Sequence, residues 1–153
     1  MALVLALQGC STTSTTAERQ PVLEVSTDTM VADALKRAQS TASGPLYKAY
    51  ASYLSNQQSL SFYFSPDILE HNLLEDLHPT HYVHDWMTVE ASHVENIETE
   101  SGCLSINGFN SYNDPLTLSL TFVNYDGHWV IDYRLIDYLN DETEFSSKAR
   151  CLR

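Results

Sequence analysis

Apolar residues first recur at helical spacing. Between residues 28 and about 42, Met30, Val31, Ala34, Leu35 and Ala38 share one side of a predicted helix, and Asp28 stands where it can cap the start. Ser43-Gly44 breaks this helix and Pro45 begins a second, in which Leu46, Tyr47, Tyr50, Tyr53 and Leu54 form an aromatic stripe ending near Asn56. A third start signal follows at Ser65-Pro66-Asp67: a cap residue, a proline suited to the first turn, and an acid near the positive helix end. Ile68, Leu69, Leu73 and Leu77 are its predicted buried face.

After Trp86 the period becomes two. Met87, Val89 and Ala91 share one side of an extended segment, and Val94 falls out of phase, which predicts a bulge near Ser92 or His93. Residues 103–109 read as a second strand with Leu104 and Ile106 inward. Residues 116–122 alternate most cleanly, so the leucines and Phe122 are expected against a core and Thr117, Ser119 and Thr121 against water. Asp126-Gly127 suits a tight hairpin turn, because both residues tolerate positive φ. The return strand is expected to turn Trp129, Ile131, Tyr133 and Leu135 inward and Val130, Asp132 and Arg134 outward. From Asn140 to Cys151 the chain is acidic, polar and predicted to be irregular.

Helices followed by an antiparallel sheet make an α+β domain, with the helices on one face of the sheet. The run Leu60-Ser-Phe-Tyr-Phe-Ser65-Pro66-Asp67 resembles the segment between helices of the NTF2-like superfamily, and Phe122-Val-Asn-Tyr-Asp-Gly-His-Trp-Val-Ile-Asp132 resembles its closing hairpin. The likeness covers about residues 28 to 139. It implies a curved sheet wrapped around a long helix, with a conical cavity between them. Some enzymes of that superfamily use a Tyr and an Asp in the cavity, but no motif assigns those roles to Tyr50, Tyr53, Tyr133 or Asp132.

The chain has 153 residues, of which 43% are hydrophobic, enough for one packed core. Eight Lys+Arg against twenty Asp+Glu leave a formal net charge of -12, which argues against nucleic acid and against charge-driven docking on an anionic membrane. The same balance favours a basic protein partner.

The start of the chain supplies an address. Met1-Ala-Leu-Val-Leu-Ala-Leu-Gln-Gly-Cys10 is an apolar run too short to span a bilayer, and a Ser/Thr-rich stretch follows it. Leu7-Gln8-Gly9-Cys10 resembles the lipobox of bacterial lipoproteins, in which the cysteine is lipidated and becomes the new N-terminus. No Lys or Arg precedes the run, which implies a leader beginning upstream of Met1. The resemblance divides the chain into a signal remnant (1–9), a lipidated Cys10 with a tether (10–27) and one domain (28–153). Ser11 stands where the lipoprotein sorting pattern uses Asp for inner-membrane retention. The implied location is therefore the outer membrane of a Gram-negative bacterium, facing the periplasm, with the lipid as membrane anchor.

With Cys10 acylated, Cys103 and Cys151 remain, and an even remainder in an oxidising compartment predicts one bridge pinning the polar tail. Two unpaired thiols are the alternative. His78, His81 and His84 stand at three-residue intervals, and imidazole ligates zinc, nickel or copper. On a helix they spread over about 120° of arc, wide for one ion, and Pro79 interrupts the helix, so a solvated connection is the favoured expectation. His93, at the expected bulge, is a candidate acid, base or ligand contact, or simply a satisfied polar residue. No Gly-x-Ser-x-Gly elbow and no phosphate-cradling glycine loop is present, and no cofactor is expected. These features favour a non-catalytic module binding a protein or a small apolar ligand. The alternatives are an NTF2-like enzyme using cavity residues for proton transfer or hydrolysis, and an immunity or inhibitor protein for a basic periplasmic partner.

Overall fold

The computed structural model of the chain describes residues 27–55, 57–72, 74–78 and 87–152. Among these residues, four helices precede a four-stranded antiparallel sheet, an α+β arrangement. The helices are α1 (Thr27–Ala38), α2 (Pro45–Leu54), α3 (Leu60–Tyr63) and α4 (Pro66–His71), and 3-10 turns cover Leu74–Leu77 and Glu142–Glu144. The strands are β1 (Val89–Ile97), β2 (Ser101–Phe109), β3 (Pro115–Tyr125) and β4 (His128–Tyr138), side by side in chain order. None of the described helices is long and apolar enough to cross a membrane.

The expected face of α1 forms: Ala34 and Ala38 are buried, with Met30, Val31 and Leu35 packed against the core. The helix ends at Ala38 rather than near residue 42, because the Ser40 N–H and the Ser43 hydroxyl both bond to the Arg37 carbonyl and close the last turn. It begins at Thr27, so Asp28 lies in the first turn, where its charge suits the positive helix end, instead of capping it. In α2, Pro45 opens the helix as expected, and Leu46, Tyr47, Tyr50, Tyr53 and Leu54 are buried. The Ser65 hydroxyl accepts the Ile68 N–H at 3.3 Å and caps α4. That helix stops at His71, where the Asn72 amide bonds back to the Ile68 carbonyl at 2.7 Å. The expected third face is therefore divided: Ile68 is buried on α4, Leu77 in the 3-10 turn beyond it, and Leu73 lies outside the described residues.

On the sheet, Leu104 and Ile106 of β2 and Leu116, Leu118, Leu120 and Phe122 of β3 join the helices in one core. Asp126 and Gly127 adopt φ of 51° and 85°, the tight turn expected between β3 and β4. Three expectations about the faces need correction. Thr117, Ser119 and Thr121 do not face water. They are buried, because the chain after β4 folds back over them.

Secondly, β4 changes phase. Thr121 pairs with Tyr133 and Phe122 with Ile131, so Asp132 is an extra residue on β4. Before this bulge Trp129 and Ile131 face the core as expected. After it the faces exchange: Arg134 pairs with Leu120 and reaches the Asp76 carbonyl and the Asn72 side chain, and Ile136 packs on the core. Tyr133, expected inward, is 43% exposed on the opposite side, which Leu135 also shares. Val130 is on the outer face as expected, yet buried. The third correction, in β1, builds the site described below.

The tail is irregular, as its composition implies, yet firmly attached. Cys103 and Cys151, separated by 48 positions, form a disulfide with their Cα atoms 5.1 Å apart. Closing such a loop restricts the unfolded chain by about 4 kcal/mol in the entropy model.

Candidate functional site

Strand β1 is polar on the side that meets the helices. Its register with β2 shifts between Glu90 and Ser92, one or two residues before the expected bulge. Glu90, His93 and Glu95 then pair with Gly108, Ile106 and Leu104 on the helix face. The expectation that Met87, Val89 and Ala91 share a buried side fails at the same point: Met87 is buried, but Val89 is 46% exposed and Ala91 is exposed. Gly108 permits the close approach, since a Cβ there would lie 2.3 Å from the Val89 carbonyl oxygen and 2.8 Å from the Met87 sulfur.

Glu90 is the hub. Its carboxylate, with the side chain 10% exposed, accepts the Tyr47 hydroxyl at 2.6 Å through Oε2 and pairs through Oε1 with Arg37 Nη1 at 3.0 Å. His93 Nδ1 lies 3.1 Å from the same Oε1. An ionised carboxylate can only accept, so that contact calls for the proton on Nδ1 of His93. The Glu90 carbonyl takes a further bond from Arg37 Nη2 at 3.1 Å. The Tyr47 and His93 rings stack with centroids 3.9 Å apart and planes inclined by 19°. Three elements thus meet here: the last turn of α1, the first turn of α2 and the bulged end of β1.

The electrostatics follow from this burial. Desolvation, reinforced by the hydrogen bond to Glu90 and its charge, holds the Tyr47 phenol well above its ordinary pKa. For Arg37, burial alone pulls the pKa down, but the charges and hydrogen bonds of Glu90 and Tyr47 together outweigh it and raise the value. A second carboxylate ties β1 to α2: Glu95 Oε2 accepts the Leu46 N–H at 2.9 Å, at the positive end of that helix. Gly44 makes the approach possible, since a Cβ there would stand 2.2 Å from Glu95 Oε1.

Beside the hub lies a cleft of about 170 Å³. Met30, Ala34, Tyr50, Leu54 and Met87 give it apolar walls, and Thr29, Asp33, Arg37, Thr88 and Glu90 its polar groups.

The sequence-derived candidates are distributed as follows. Cys103 and Cys151 come together. Cys10, His81 and His84 lie outside the described residues, and His78 is half-buried just after a 3-10 turn. Among the described residues, no group of three His, Cys, Asp or Glu side chains is arranged to hold a metal. His93 sits beside the bulge, bonded to Glu90. Tyr50 lines the cleft, Tyr53 is buried with its hydroxyl on the Leu77 carbonyl at 2.7 Å, and Tyr133 and Asp132 belong to the far strand. Arg37, Tyr47 and Glu90 were not anticipated as a group. The alternation of residues 87–91 gave no signal for them, since it places Glu90 outward, whereas Glu90 precedes the register shift and already pairs with Gly108 on the helix face. Comparison of the chain with protein-family models, curated proteins and solved structures found no match.

Proposed function

We propose that this chain is a lipid-anchored envelope protein whose single domain is a non-catalytic binding module, taking a small apolar ligand in the cleft between α1, α2 and β1. One observation carries the preference for binding: both oxygens of Glu90 are engaged by Tyr47, Arg37 and His93, while the neighbouring walls are thioether, alkyl and aromatic. A carboxylate committed in this way orients groups and is poorly placed to move a proton. Cavities of about 150 Å³ hold a benzene ring, so the fitting ligand is ring-sized. Titration with indole, followed through the methyl signals of Met30 and Met87, tests this. Saturable shifts at both methyls are expected, and no saturation up to millimolar indole refutes it.

Two features support the envelope address: the Leu7-Gln8-Gly9-Cys10 motif, and a disulfide of the kind that persists in oxidising compartments. Mass spectrometry of native protein finding no acyl chain on Cys10 would remove the anchor. The NTF2-like reading draws support from helices preceding a curved antiparallel sheet, and from the parallel bridge of Phe64 to Ile131. An enzyme of that superfamily is the second reading, favoured by the Glu90–His93 contact. A basic protein partner, favoured by the net charge of -12, is tested by pull-down from solubilised envelope at low and high salt.

A further inference from the structure

The outer face of the sheet, away from the helices, carries buried polar side chains: Ser105 and Asn107 on β2, and Thr117, Ser119 and Thr121 on β3. Three of them hold the tail, and they hold it by its main chain. Asn107 donates through Nδ2 to the Ser146 carbonyl and accepts the Ser146 N–H through Oδ1, both at 2.9 Å. The Thr121 hydroxyl donates to the Leu152 carbonyl at 2.9 Å and accepts the Leu152 N–H at 3.1 Å. Ser105 Oγ accepts the Arg150 N–H at 3.1 Å. These are the bonds a neighbouring strand would make, supplied here by side chains, and they are indifferent to the tail's own side chains.

The tail's side chains add two contacts, the Phe145 ring on Phe109 and the Arg150 guanidinium on Asp137 Oδ2 at 2.8 Å, and residues 147, 148, 150 and 151 are exposed. Its covalent hold is the bridge to Cys103. The surface beneath it is mainly hydroxyl and amide, with the Phe109 ring under Phe145 and buried Val130 on the same face, so uncovering it presents mostly groups that water satisfies.

We propose that this face is a main-chain-reading peptide site, filled by the chain's own tail and opened to an extended polypeptide segment when a dithiol reduces the Cys103–Cys151 bridge. A thiolate of the dithiol attacks the sulfur of Cys151, the exposed residue of the pair, and Cys103 leaves as a thiolate and is protonated. The second thiol of the reagent then closes its own disulfide and releases Cys151 as a thiol. Two electrons and two protons pass from dithiol to protein.

The test uses the full chain with and without dithiothreitol. Hydrogen exchange is read at the amides of Ser146, Arg150 and Leu152, with Leu118 and Leu120 of β3 as controls. A fluorescent peptide of residues 142–152 carrying Cys151→Ser, and a scrambled version of it, serve as binding probes. Reduction is expected to speed exchange at the three tail amides about tenfold or more, to near free-chain rates, while the controls exchange faster with the lowered global stability but stay well protected. Both peptides are expected to bind the reduced protein about tenfold more tightly than the oxidised one, within about threefold of each other. Unchanged tail protection, exchange through β3 at free-chain rates, no binding to the reduced protein, or failure of the scrambled peptide alone would each overturn the proposal.

Discussion

Replacing Tyr47 by Phe removes one hydroxyl from a fully buried ring and keeps the stack on His93. The lost bond, 2.6 Å long, runs to an ionised carboxylate, and hydrogen bonds to charged groups contribute about 1.5–3 kcal/mol. Glu90 retains Arg37 and His93, so a loss of about 2 kcal/mol is expected near neutral pH. The same hydroxyl gives the difference a pH signature. The folded-state pKa of Tyr47 is raised, so its contribution is fully present below the unfolded value of about 10 and is lost as pH rises above it. The gap between wild type and variant should therefore narrow by about 1.4 kcal/mol per pH unit above about 10. Urea unfolding of both proteins at about pH 7 and about pH 11 measures it. A gap equal at both values, or no gap near neutrality, refutes the assignment of this bond.

Three other outcomes follow from the geometry. The double replacement Cys103→Ser with Cys151→Ser is expected to lower unfolding free energy by about 4 kcal/mol, read by urea titration under non-reducing conditions. Gly44→Ala pushes the Glu95 carboxylate off the Leu46 N–H and should cost about 1 kcal/mol; in a Glu95→Ala background the same change should cost far less, which a double-mutant cycle reads directly. Gly108→Ala drives a methyl into the Val89 carbonyl oxygen, a backbone atom that cannot swing aside, and thermal unfolding should show a loss of about 2 kcal/mol or more.

Legibility along the chain depended on whether hydrophobicity carried the information. Residues 116–122 read correctly on their apolar side because a period of two with leucine at every other position has one solution against a core. Their polar side read incorrectly: Asn107 and Thr121 grip main-chain atoms, and main-chain recognition leaves no mark in the side-chain pattern of residues 146–152. In β4, Trp129, Ile131, Tyr133 and Leu135 alternate as if uninterrupted, so nothing in hydropathy announces the extra residue at Asp132. The hub around Glu90 was hidden for a related reason. A carboxylate and an imidazole on a strand look water-facing until a bulge and a buried Tyr47 supply their partners. The disulfide, in contrast, followed from setting Cys10 aside as the lipobox cysteine and counting what remained.

The two bulges sit on β1 and β4, the outermost strands, while β2 and β3 pair without a register shift. A bulged border twists and interrupts the regular ladder that an incoming strand needs, and on β1 the Arg37 side chain already takes the Glu90 carbonyl. The sheet is thereby a poor template for edge-to-edge growth. Many copies crowded together would be protected from seeding fibrils by two misaligned residues, one on each rim.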